Sequence, residues 1–209
     1  MKFSSVTWWW IRHAAISKSN ISDFIGWTDP EIIVDNESTH AVRQLYTELP
    51  IDSFIITSDL LRTSQTTDML QQFTRYKEII KDRGMREQNF GEWENHSYTE
   101  VAHAFPHKYS QFWEDIGHCA PPNGESFQDV TTRVSKSIEH WNSISQFNNI
   151  ICVAHAGTIR AAIGHALSLT PAKCLLFDVN HLSLSKIEYY ENNNGCKIHC
   201  INQRYYAKK

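Results

Sequence analysis

Residues 8–13 read WWWIRH: three tryptophans and an isoleucine run straight into an arginine and a histidine. With Val6 and Thr7 in front, the apolar run has the length of a strand. It is continuously apolar rather than alternating, which predicts a strand buried on both faces. Arg12 and His13 then fall where that strand leaves the core, at the rim of a sheet.

Working outward, the same kind of run recurs as SFIIT at 53–57, NIICVA at 149–154 and LSLSKIEYY at 182–190, with KIHCINQRYY following an ENNNG turn. Apolar residues at three- and four-residue spacing predict helices in HAVRQLYTEL, LLRTSQTTDMLQQF, SFQDVTTRVSKSIEHW and TIRAAIGHAL. Strands alternating with helices imply an α/β three-layer sandwich, a mostly parallel sheet with helices on both faces. The closing NNNG hairpin makes the sheet mixed. The 209 residues suit one domain, 1–209. A weakly periodic, aromatic, His- and Pro-containing stretch at about 88–124 is expected to be a roof of short helices and loops over a site. Aromatics on that roof are a candidate homodimer contact.

Composition narrows the function classes. Twenty Lys and Arg against 23 Asp and Glu give a formal charge of −3, with no basic run to track a nucleic-acid backbone. No apolar stretch approaches the roughly 20 residues of a membrane span, and no signal-peptide pattern opens the chain, so a cytoplasmic protein is expected. Five irregularly spaced cysteines fit reduced thiols. Cys196, His199 and Cys200 form a C-x-x-H-C cluster, but no second ligand pair accompanies it and its alternation reads as a strand. No metal and no cofactor is expected.

Three predicted strand ends carry anion-binding residues. The first ends in Arg12-His13. The second runs into Ser58-Asp59, a fitting helix N-cap, with Arg62 in the first turn. NIICVA ends in His155-Ala156-Gly157 just before a helix. Ligands of open α/β sheets bind beyond the carboxyl ends of the strands, where helix N-termini present free N–H groups. Each feature alone is commonplace; at three strand ends together they predict two arginines and two histidines around one small anionic pocket.

IRHAA, SDLLRTSQTT, REQNFGEWEN, GES and VAHAGTIRA, in that order, resemble the histidine phosphatase superfamily, whose fold is also called phosphoglycerate-mutase-like. The resemblance spans roughly residues 7–160. WWWIRHA and GWTD at 26–29 resemble in particular its branch of cobalamin-pathway phosphatases. The resemblance implies a metal-independent phosphomonoester hydrolase acting on a small phosphorylated metabolite through a phosphohistidine, with alpha-ribazole 5′-phosphate as a candidate substrate. It makes His13 the nucleophile and gives the phosphate oxygens to Arg12, Arg62 and His155. Glu87, in the E-x-x-F-G-x-W-E pattern of Glu87, Phe90, Gly91, Trp93 and Glu94, becomes the proton donor, with Glu92 and Glu94 as rivals by proximity. Nearby arginines favour a neutral, nucleophilic imidazole, and a phosphate dianion favours a protonated carboxyl.

The chain departs from the family's R-H-G-x-T-x-x-N loop. Ala14 replaces the Gly, Ile16 the Thr, and Ser19 the Asn, so Asn20 or Ser19 is the substitute phosphate contact. Asn95 stands where a Gly often follows the acidic motif, and His181 precedes a strand where members sometimes bring a polar residue near the pocket. Two alternatives stay open: a phosphoglycerate-mutase-type transferase, which usually carries a longer insertion than the 68 positions between Glu87 and His155, and a catalytically idle phospho-ligand-binding scaffold.

Overall fold

The computed structural model describes residues 5–17, 23–51, 53–73, 76, 78–144, 148–190 and 195–205. Strand β1 (Ser5–Arg12) is followed by helix α1 (Asn36–Glu48), β2 (Phe54–Thr57), α2 (Leu61–Gln71) and β3 (Ile79–Lys81). Then come α3 (Tyr98–Ala104), α4 (Pro106–Glu114), α5 (Phe127–Ile144), β4 (Asn149–Ala154), α6 (Ala156–Leu167), α7 (Pro171–Cys174), β5 (Leu184–Tyr190) and β6 (Cys196–Gln203). Single 3-10 turns lie at Arg83–Met85 and Gly91–Trp93.

The six strands form one sheet in the order β3-β2-β4-β1-β5-β6. Strands β1 to β4 pair in parallel, and β5 and β6 add on antiparallel, giving the mixed sheet expected. The turn between β5 and β6, residues 191–194, lies outside the described residues. Strand β3 lies outside the predicted strands: with three residues at the sheet edge, none fully buried, it carries too little apolar signal to read from sequence. The C-x-x-H-C residues lie on β6, as their alternation suggests.

Two-residue periodicity sorts β1 between two cores. Trp8 and Trp10, stacked 4.8 Å apart, face α5 and α6 with Phe54, Ile56, Ile150, Cys152, Val134 and Ile159. Ile11, with Trp9 beside it, faces α1 and α2 with Leu45, Leu70, Ile151 and Val153. Trp8 Nε1 donates to Asn142 of α5, and Trp9 Nε1 to Asn149 with the Lys186 ammonium over its ring. Three consecutive tryptophans are therefore used on opposite faces of one strand. A third, smaller core of Phe24, Trp93, Val101 and Phe112 holds the short helices α3 and α4.

Trp10 is fully buried, and its Nε1–H has no partner among the described residues. Trp10→Ala should cost about 3–5 kcal/mol of unfolding free energy. Trp10→Phe should cost clearly less, because it also removes an unsatisfied donor; urea melts of the two variants provide the comparison.

Candidate active site

The parallel register of β1 on β4 sets Arg12 opposite Ala154. One residue further, His13 and His155 leave the carboxyl ends of adjacent strands side by side, their ring centroids 5.2 Å apart. The His13 N–H still donates to Ala154 O at 3.0 Å, so the ladder extends into the site. Both rings are buried.

Hydrogen bonds assign opposite tautomers to the two rings. His13 Nδ1 lies 2.7 Å from the Ala14 carbonyl, which can only accept, so Nδ1 carries the proton and Nε2 keeps its lone pair. His155 Nδ1 lies 3.2 Å from Arg62 Nε, which can only donate, so the His155 proton sits on Nε2. That Nε2–H is buried with no partner among the described residues, as is Arg12 Nε. Unpartnered buried donors of this kind suit an anion.

Burial first, then the Arg62 and Arg12 guanidiniums and His181, hold His13 well below the ordinary imidazole range. Burial, Arg62 and His13 do the same to His155. Arg12 is itself lowered to about 10, mainly by burial and against the pull of Glu87, and remains a cation.

Arg62 is one of the largest fully buried side chains. Its Nη1 and Nη2 donate to Thr28 and Gly26 carbonyls, each at 2.7 Å. The GWTD loop is thus a clasp for Arg62. Asp29 of the same loop accepts the Leu61 N–H at the start of α2, correcting the expected cap: neither Ser58 nor Asp59 caps this helix, whose N-cap is Leu60. Asp59 instead pairs with Arg86 through two 2.7 Å bonds. Capping from 32 positions away leaves no local signal.

Glu87 reaches the same place from the loop after Arg83–Met85. Its Oε2 accepts the Gly157 N–H at 3.2 Å, at the first turn of α6. A Cβ at Gly157 would overlap the Glu87 carboxylate, so the glycine is what permits the approach. The two rivals point elsewhere. Glu94 accepts the backbone N–H groups of Trp27, Thr28 and Phe90, and Glu92 accepts from Asn123 at the exposed surface. Asn95 has φ +66°, the left-handed region in which Asn is among the few side chains to substitute for Gly.

Arg133 of α5 carries no mark in the sequence. It donates to the carbonyls of Gly84, Arg86 and Glu87 and to the Glu125 carboxylate, fixing the path of the segment that carries Glu87. An arginine inside an amphipathic helix has no local mark of such a role. Trp27 Nε1 adds a bond to the Glu87 carbonyl. His181 does reach the site, with its ring 5.1 Å from that of His13. Asn20 and Ser19 lie outside the described residues. Among those residues no group of three or more metal-ligating side chains converges, and no helix is long and apolar enough to cross a membrane.

Two histidines of opposite tautomer, the Arg12 and Arg62 guanidiniums and the Glu87 carboxylate thus converge at the carboxyl ends of parallel strands. Residues 8–203 match the model of the Histidine phosphatase superfamily (branch 1), and the chain belongs to that superfamily. It is 24% identical over 192 residues to the adenosylcobalamin/alpha-ribazole phosphatase of Salmonella typhimurium, covering 91% of this chain and 94% of that protein. It is 31% identical over 161 residues to a 2,3-bisphosphoglycerate-dependent phosphoglycerate mutase of Bartonella henselae, covering 73% and 77%. The crystal structure of the alpha-ribazole phosphatase from Shigella flexneri superposes with a TM-score of 0.82 at 20% identity, covering 98% of this chain and all of that one (100%).

The lowered histidines carry a stability consequence. Below the unfolded-state pKa of about 6.5 the unfolded chain takes up protons at His13 and His155 while the folded chain does not. The stability they allow is complete above that pH and declines as pH falls, by up to about 1.4 kcal/mol per unit for each ring. Replacing His155 with Leu should flatten the slope of unfolding free energy between pH 6.5 and 5, measured by urea titration at several pH values.

Proposed function

We propose that this protein is a metal-independent phosphomonoester hydrolase that works through a phosphohistidine at His13. The observation that carries the reading is the pair of opposed tautomers: one imidazole presents a lone pair and its neighbour a proton. His13 Nε2 attacks phosphorus, and the P–O bond to the leaving alcohol breaks. His155 Nε2–H, Arg12 and Arg62 take the phosphoryl oxygens, where charge-assisted donors in a buried site are worth most. Glu87, as the general acid, gives a proton to the departing oxygen. The resulting carboxylate draws a proton from water as that water attacks the phosphohistidine. Inorganic phosphate leaves and His13 is regenerated.

The leaving group has a place to go. Beside Glu87 and Gly157 lies a cavity of about 150 Å³, lined by Phe24, Phe90, Tyr98, Trp113, Phe127 and Arg160 among others. Tyr98 and Trp113, the half-exposed aromatics of the roof, belong to its wall. Such a lining suits an alcohol carrying a planar aromatic ring better than the small, anionic glycerate of a phosphoglycerate. Alpha-ribazole 5′-phosphate is the candidate substrate we favour, a choice supported by the names of the Salmonella and Shigella relatives.

A substrate panel in chelator-treated buffer tests the reading. Wild-type turnover of p-nitrophenyl phosphate should survive chelation, His13→Ala should abolish it, and Glu87→Gln should lower kcat by about 10²–10⁴-fold on slow-leaving alcohols. Alpha-ribazole 5′-phosphate should outrun phosphoglycerates, sugar phosphates and nucleotides. A preference for phosphoglycerate with bisphosphoglycerate priming would replace the hydrolase by a mutase, and phosphate binding without turnover would replace it by a scaffold.

A further inference from the structure

The peptide group between His13 and Ala14 is gripped on both edges. Its N–H, that of Ala14, donates to Thr66 Oγ1 at 3.0 Å, and its oxygen, that of His13, lies 3.0 Å from His181 Nδ1. A carbonyl only accepts, so His181 Nδ1 is the donor. The next carbonyl along the chain, Ala14 O, is the one that holds the His13 ring in its Nδ1–H tautomer. His181 thus acts one peptide upstream of the group that orients the imidazole.

The turn presenting His181 is built for this task. Val179 O accepts from Arg12 Nη1 at 2.6 Å, and the Leu182 N–H donates to Arg12 O at 3.0 Å. Leu182 is buried and adopts φ +53°, a conformation costly for a side chain with a Cβ. Asn202 accepts from both the backbone and side-chain amides of Asn180 and ties the turn to β6. The position is held against local preference, next to the reacting residue.

We infer that His181 is a positioning residue, which holds the nucleophile His13 by its backbone carbonyl; this rests on the reading of His13 as nucleophile. Its imidazole is held down to about 4, by desolvation of the ring edge packed into the site and by the Arg12 guanidinium, although the residue as a whole is solvent-accessible. It is therefore neutral at ordinary pH and offers no charge to an anion. What it supplies is one directed N–H.

Three variants separate the donor from the ring. His181→Asn keeps an N–H near the Nδ1 position without the ring, His181→Phe keeps a ring without the donor, and His181→Ala removes both. With p-nitrophenyl phosphate, His181→Phe and His181→Ala should lose about 10- to 100-fold in kcat with KM within about threefold, the cost of a slightly misplaced nucleophile. His181→Asn should recover most of that loss. Wild-type kcat in His181→Phe, a His181→Asn variant as slow as His181→Ala, or a loss confined to KM would each overturn the inference. So would failure of any of the three to melt cooperatively, since a solvent-accessible residue acting only through the His13 carbonyl is dispensable for folding. His13→Ala in the same assay distinguishes the two readings: if it retains turnover, the nucleophile assignment falls. If it is dead and His181→Phe is unimpaired, only the positioning role falls.

Discussion

Everything at this site depends on the register between two parallel strands. Arg12 lies opposite Ala154, so the next residue of each strand is a histidine, and the two rings meet where the backbone ladder runs out. A slip of one residue would turn every β1 side chain to the opposite face, sending Trp8 and Trp10 into the wrong core. The tryptophan run therefore sets the geometry of the site as well as stability: large, rigid side chains interlocked with α5 and α6 leave β1 one alignment on β4.

Burial then determines the chemistry. Two guanidiniums and two imidazoles packed together repel protons from the rings, which leaves His13 a free lone pair at Nε2 and His155 a neutral donor. The concentration of positive charge is tolerable because Arg62 is bonded to the Gly26 and Thr28 carbonyls and Arg12 to that of Val179. The same contacts fix the guanidiniums before any substrate arrives, so little reorganisation remains for the reaction. The cost is a folded state that weakens as acid charges the unfolded chain's histidines.

How much of this was legible in the sequence follows the range of the interactions. Strands β1, β2, β4, β5 and β6 announce themselves by apolar runs, and Arg12, His13, Arg62 and His155 stand at or just beyond strand ends, so their convergence could be read from order and topology. Glu87 emerged from the motif around Phe90, Gly91 and Trp93. Contacts made across the chain left no local trace: Asp29 capping α2, Arg133 holding the Glu87 segment and Gly157 opening space for a carboxylate. His181 was pointed to by the resemblance, and its bond to the His13 carbonyl only by the fold. Strand β3 escaped because three edge residues, two half-buried and one exposed, carry no periodicity. The loop after His13, AAISKSN, departs from the family at the sequence level, and Ser19 and Asn20 within it lie outside the described residues.

The central claim is that His13, and not its neighbour, carries the phosphoryl group. The direct measurement is an alkaline quench of wild-type enzyme turning over p-nitrophenyl phosphate, followed by peptide mass spectrometry. The account predicts an acid-labile, alkali-stable phosphoryl adduct on the peptide containing residue 13, at His13. An adduct on His155 or Glu87, or continued turnover with no adduct at any residue, would contradict it.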